Sequence, residues 1–208
     1  MKRRILVAST NPGKLKELRE MLGGDIEWVG LSDFPNVSEI EEDGETFAEN
    51  ARKKAIGYAR ATGLWTLADD SGLVVDALNG QPGVKSARFS GAKETNRGLI
   101  DHKNMAKVLK LLEGVPKEKR AARFMCCLCL ASPEKVLIET SGKLEGLIID
   151  EPAGENGFGY DPIFFVPESN KTVAQMASVE KNAISHRGNA IRKIKPQLEK
   201  LLREYRPV

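Results

Sequence analysis

Two apolar runs, Leu64–Ala68 and Leu73–Val75, flank the acidic stretch Asp69-Asp70-Ser71-Gly72. Apolar runs of strand length sit in a core, so this chain must put two neighbouring carboxylates at the mouth of a buried strand. Desolvation and mutual repulsion there cost several kcal/mol unless a cation or a proton offsets them. A positive partner is expected, and a divalent metal with a phosphorylated substrate is the obvious candidate. The same residues are also good turn chemistry, because Asp bonds its own backbone and Gly accepts positive φ. The rest of the chain decides between a turn and a site.

Ile5–Ala8 reads as a buried strand. Ser9-Thr10-Asn11-Pro12-Gly13-Lys14 follows, then a helix with Leu15, Leu18, Met21 and Leu22 at helical spacing. Strand, polar loop and helix start direct free backbone N–H groups and the positive helix end at one spot, where anions bind. Lys14 would add a full charge. It is not a P-loop, because Ala8 and Leu15 stand where that motif needs Gly and Ser or Thr. A second strand spans Trp28–Leu31, and Ser38 to Glu45 form an acidic loop. Thr46 and Glu49 make a capping box for a helix that runs to about Ala61 and stops at Gly63, with Asn50 and Lys54 one turn apart on one face. The helix dipole alone favours some acids here. Glu41, Glu42 and Asp43 with Asp69 and Asp70 would also make a reasonable oxygen-ligand set for Mg²⁺.

Asn79-Gly80 is a turn, and Gln81 through Gly91 reads as loop, with no role evident for Arg88. Asn104–Leu112 has helical periodicity, ended by Gly114 and Pro116. The period then changes. Ala121–Ala131, Lys135–Thr140 and Lys143–Ile149 read as three strands of an antiparallel meander, separated by Ser-Pro and Ser-Gly turns. Helix–strand units followed by a meander predict an α/β chain of two lobes joined by one mixed sheet. In Gly154 to Pro162, glycines allow close backbone approach, while Phe158 and Tyr160 either stack on a base or plug the core. Ile163–Val166 is another strand. His186-Arg187 precedes a terminal helix that Pro196 should kink or restart. The pair suits the keto edge of a purine, or is simply solvated.

Composition removes several classes. The 208 residues, 41% hydrophobic and 29% charged, fit a soluble globular chain, and no apolar run approaches the ~20 residues of a membrane span. The basic start is followed by too short an apolar segment for a signal peptide, so the cytoplasm is the expected compartment. A net charge of +3 with scattered cations is weak for a nucleic-acid binder. Cys126, Cys127 and Cys129 match no zinc or redox spacing and read as buried thiols. A serine hydrolase using Ser71 with His102 or His186 is a rival, although Ser71 lacks the G-x-S-x-G context.

Taken together, these segments resemble the inosine/xanthosine triphosphate pyrophosphatase family. The matching residues are Ser9 to Lys14, Glu41-Glu42 before Thr46-Phe47 and Glu49-Asn50-Ala51, Leu67 to Leu73, Phe158 to Asp161, and Lys181 with Ser185 to Gly188. The resemblance implies one two-lobed α/β domain over residues 1–208, on a long mixed β-sheet with flanking helices and the active site in the cleft between lobes. It also implies a homodimer, a Mg²⁺ requirement, a nucleotide substrate and no nucleic-acid partner. By resemblance, Ser9, Thr10, Asn11, Pro12, Gly13, Lys14 and Lys54 would hold the triphosphate. Glu41 and Asp70 would hold the metal, with Glu42 and Asp69 close by. Asp70 would also act as base, and Ser71 would bind substrate. Phe158, Gly159, Tyr160, Asp161, Lys181, His186 and Arg187 would enclose base and sugar. Arg97 to His102 is slightly longer than the family pattern.

Overall fold

A computed structural model describes residues 2–23 and 26–205. Seven strands form one mixed sheet in the order β2-β1-β3-β4-β5-β6-β7. They are β1 (Arg3–Ala8), β2 (Ile26–Gly30), β3 (Trp65–Val75), β4 (Ala121–Ala131), β5 (Val136–Ile148), β6 (Phe164–Val166) and β7 (Lys171–Thr172). β1 runs parallel to β2 and β3, whereas β6 is antiparallel to β5 and β7. The helices are α1 (Pro12–Leu22), α2 (Phe47–Thr62), α3 (Arg97–Leu111), α4 (Ser178–Ile184) and α5 (His186–Glu204). No helix among the described residues is long and apolar enough to cross a membrane.

The chain divides into two compact units. The first holds the residues up to Asp70, Cys126–Gly142 and those from Arg187 onward; the second holds Ser71–Met125 and Lys143–His186. In the first unit the strands are apolar on both faces and both are covered, as expected of parallel strands. Ile5, Val7, Leu67, Cys126, Leu128 and Leu130 pack with Leu18 and Leu22 of α1 and Ile191, Ile194 and Leu198 of α5. The alternate residues Leu6, Ala8, Ala68, Cys129 and Ala131 pack with Ala51, Ala55 and Tyr58 of α2. In the second unit, Leu73, Val75, Phe124, Leu144 and Ile148 enclose Tyr160, Ile163 and Phe164, with Val108 and Leu112 from α3 and the adjoining turn.

Five expectations are corrected. Asp69-Asp70-Ser71-Gly72 is not a turn but the middle of one continuous strand, β3. Gly72 is needed there for close approach: a Cβ would collide with Ser86 Oγ and lie 2.8 Å from the Gly83 carbonyl. Likewise the strands expected over 135–140 and 143–149 are one strand, β5, which runs through Ser141-Gly142. Helix α3 begins at Arg97 rather than Asn104, because Asn96 caps it by accepting from the Leu99 amide at 3.2 Å. Its first turns carry Gly98 and an exposed Leu99, which hide the helical period. α5 opens at His186, so His186 and Arg187 lie in its first turn, and the helix runs unbroken through Pro196.

Candidate active site

The continuity of β3 settles how two adjacent acids coexist. Successive side chains on a strand point to opposite faces, so Asp69 joins the face of Leu67 and Asp70 that of Ala68. The nearest cations differ: Lys14 and Arg187 for Asp69, Lys54 for Asp70.

Asp69 is 2% exposed. Its Oδ1 accepts from Lys14 Nζ at 2.5 Å; its Oδ2 accepts from Arg187 Nε at 2.7 Å and from the Cys126 thiol at 3.3 Å. Burial opposes its ionisation, yet the charges of Arg187 and Lys14 hold its carboxyl well below the usual range. Arg187, 1% exposed, also pairs with Glu17 of α1. Glu17 escaped the sequence reading because it looks like a solvated helix residue; its only signal is its place three residues after Lys14, on the same face.

Asp70 faces Lys54. Lys54 Nζ lies 3.4 Å from Asp70 Oδ1 and 3.2 Å from Glu42 Oε1, and it donates to the Asp69 carbonyl at 2.8 Å. Asp70 Oδ2 is buried and accepts no hydrogen bond from the described residues. Burial pushes the Asp70 carboxyl up to about 6 despite Lys54 and Lys14, with Glu42 and Asp69 adding to the rise. Glu42 is half-buried, while Glu41 is exposed. Asn50, wholly buried, accepts from the Gly44 amide at 2.8 Å and so fixes the end of the acidic loop.

Among the described residues no three His, Cys, Asp or Glu side chains form a ready-made metal cage. Mg²⁺ does not need one, since it is commonly held by one or two carboxylates together with substrate phosphates. Asp70, with its orphaned oxygen, and Glu42, on the same ammonium, fit that pattern. Asp69 does not, since both its oxygens are taken.

The loop before α1 differs from the expected cradle of free amides. Asn11 Oδ1 accepts from Gly13 N at 2.9 Å and Lys14 N at 3.3 Å, and Ser9 Oγ accepts from Asn11 N at 3.2 Å. Thr10 is exposed, and the side chain of Pro12 lies outside the described residues. The charged donor here is therefore Lys14.

In the second unit, Lys181 Nζ lies 4.6 Å from the Phe158 ring centre and donates to Asp161 Oδ2 at 2.8 Å; the Phe158 amide donates to the same oxygen at 2.9 Å. Tyr160 sits in the core, its hydroxyl donating to the Ser86 carbonyl at 2.8 Å. The buried His186 ring stacks on Phe124 at 4.9 Å. Ser71 is half-buried and His102 exposed. Gly157 has φ +80, and a Cβ there would overlap Asp161 Oδ2. Gly157→Ala is therefore expected to displace Asp161 from the Phe158 amide and from Lys181, read as at least tenfold faster exchange of the Phe158 amide; unchanged exchange would mean that the loop absorbs the added Cβ.

Comparison with known proteins gives the family. The Ham1 family matches residues 5–197, and the chain belongs to that family. It is 50% identical over 196 residues to a dITP/XTP pyrophosphatase of Geobacter sulfurreducens, covering 94% of this chain and 96% of the relative. It resembles the structure of a HAM1 protein from Coxiella burnetii, with TM-score 0.85, 42% identity and coverage of 95% of this chain and 99% of that one. A nucleoside-triphosphatase / dITP/XTP pyrophosphatase from Mycobacterium abscessus gives TM-score 0.75 at 44% identity, covering 93% of this chain and 99% of that one.

Proposed function

We propose that this chain hydrolyses non-standard purine nucleoside triphosphates (ITP, dITP and XTP) to the monophosphate and pyrophosphate, with Mg²⁺ as cofactor. The observation that carries the reading is Asp70, a buried carboxylate with one oxygen unengaged, beside Lys54 and Glu42. The relatives named dITP/XTP pyrophosphatase point to the substrate class.

Asp70 takes the proton of the attacking water. Without metal its carboxyl is raised to about 6 and is still ionised at neutral pH, so it can accept that proton. Lys14 and Lys54 bear the negative charge that develops on the phosphates, and such electrostatic stabilisation is usually the largest catalytic contribution. Asp69 holds Lys14 in place and is itself held by Arg187. Mg²⁺, held by Asp70 with Glu42 or Glu41, would neutralise phosphate charge and lower the pKa of bound water. Base and sugar are enclosed by Phe158, Gly159, Asp161, Lys181, His186 and Arg187, with Ser71 on the sugar or phosphate. The bonds of Arg187 to Asp69 and Glu17 tie that end to Lys14. Donors aimed at a 6-keto oxygen are left unpaired by the 6-amino group of adenine, a mismatch able to discriminate by ~10⁴.

The test is a screen of ITP, dITP, XTP, GTP and ATP with Mg²⁺, scoring pyrophosphate against orthophosphate. Turnover of the first three to pyrophosphate, lost on adding EDTA and restored by Mg²⁺, is expected. Equal rates across all five, or orthophosphate as product, would refute the reading. The reading extends to a cytoplasmic homodimer, for which sedimentation should give twice the chain mass.

A further inference from the structure

We propose that Asp101, on α3, is a positioning residue for the base-binding loop, anchoring it through the Gly159 amide. This rests on the proposed function, since it concerns the base end of the same substrate. Asp101 is 9% exposed, and its Oδ2 accepts from Gly159 N at 3.0 Å. Its other oxygen lies 3.1 Å from Nε of Arg97, one turn earlier and half exposed. The two amides on which the loop turns are thus each held by a carboxylate: Phe158 N by Asp161 within the loop, Gly159 N by Asp101 from the helix.

Asn104, one turn further along α3, reinforces the bracing. Its Nδ2 donates to the carbonyls of Ser86 at 3.2 Å and Ala87 at 3.3 Å, and Tyr160 OH donates to the same Ser86 carbonyl. The helix therefore grips the loop directly at Gly159 and, through Ser86, at Tyr160. The grip is needed because Gly154, Gly157 and Gly159 all have positive φ, at +88, +80 and +64. Glycines have the most backbone freedom to lose. A charge-assisted bond to a backbone N–H is about twice as strong as a neutral one. Without it the Phe158–Gly159 peptide and the Phe158 ring must be ordered by the incoming base, which weakens binding of the base but not of the phosphates.

Steady-state kinetics of Asp101→Ala with ITP should show KM raised about tenfold, with kcat within about twofold of the parent. Inorganic tripolyphosphate, which has phosphates and no base, should inhibit both proteins equally. Asp101→Asn keeps an acceptor oxygen and should restore KM to within about threefold. A KM unchanged in Asp101→Ala, or a KM rise matched by equally weakened tripolyphosphate inhibition, would overturn the proposal. Amide exchange by NMR gives a reading that needs no catalysis. In the parent the Gly159 amide should exchange at least tenfold more slowly than an unprotected glycine, and should lose that protection in Asp101→Ala. A freely exchanging Gly159 amide in the folded parent overturns the anchoring even if Asp101→Ala does not fold. A parent that turns over no triphosphate but protects Gly159 would sink the proposed function and leave the anchor standing.

Discussion

Asp70→Asn should lower kcat about a thousandfold while leaving the metal-free protein at least as stable as the parent. The loss in rate follows from removing the proton acceptor, typically worth ~10²–10⁴, and a ligand of the proposed metal. The gain in stability follows from burial. In the folded protein Asp70 titrates at about 6 against an ordinary value of 3.8, so the fold disfavours its ionised form. Below about pH 4 the carboxyl is protonated in both states and costs nothing. Between about 4 and 6 the unfolded chain ionises first, and stability falls as pH rises. Above 6 the cost is constant, on the order of 3 kcal/mol. Asn never incurs it. Thermal unfolding in EDTA should therefore give Asp70→Asn a Tm about 8 °C above the parent at pH 7, the difference closing as pH falls to 4. A variant that keeps its activity removes Asp70 from the mechanism. One that unfolds earlier at pH 7 shows that the ionised carboxylate stabilises the fold.

The elements of this site were mostly legible, because their signals are local. A capping box marks Thr46 as the start of α2, and spacing puts Asn50 and Lys54 on one face of it. What escaped is non-local or overrides a local signal. Ser71-Gly72 and Ser141-Gly142 have turn composition, yet each lies inside one continuous strand of the sheet, β3 and β5. Period-2 alternation already separates Asp69 from Asp70, but it could be used only once β3 was known to be unbroken. Glu17 and Asp101 look like solvated helix residues, and nothing near them in sequence reveals partners at Arg187 and Gly159. A guanidinium fork suits a purine keto edge as well as a carboxylate, so the pairing of Arg187 with the buried Asp69 and with Glu17 is invisible in the sequence.

Arg187→Met should destabilise the fold by about 3–5 kcal/mol, or roughly 10 °C in Tm. Methionine replaces much of the volume, so the loss is not chiefly a cavity. It removes one of the two cations bonded to the carboxylate of Asp69, whose side chain is wholly buried, and takes the guanidinium away from Glu17. The pH dependence has a definite sign. Asp69 titrates well below 3.8 in the fold, so the stability it contributes is complete above about pH 4 and is lost as pH falls through its folded value. The deficit of Arg187→Met should accordingly be largest near neutrality and shrink in acid. A double-mutant cycle separates this charge effect from packing. If the penalty is an unpaired buried carboxylate, then adding Asp69→Asn to Arg187→Met removes the charge that lost its partner. The double variant should then be destabilised by clearly less than the sum of the two single changes. Strict additivity would mean that Asp69 and Arg187 stabilise the fold independently, and that Lys14 alone keeps Asp69 ionised.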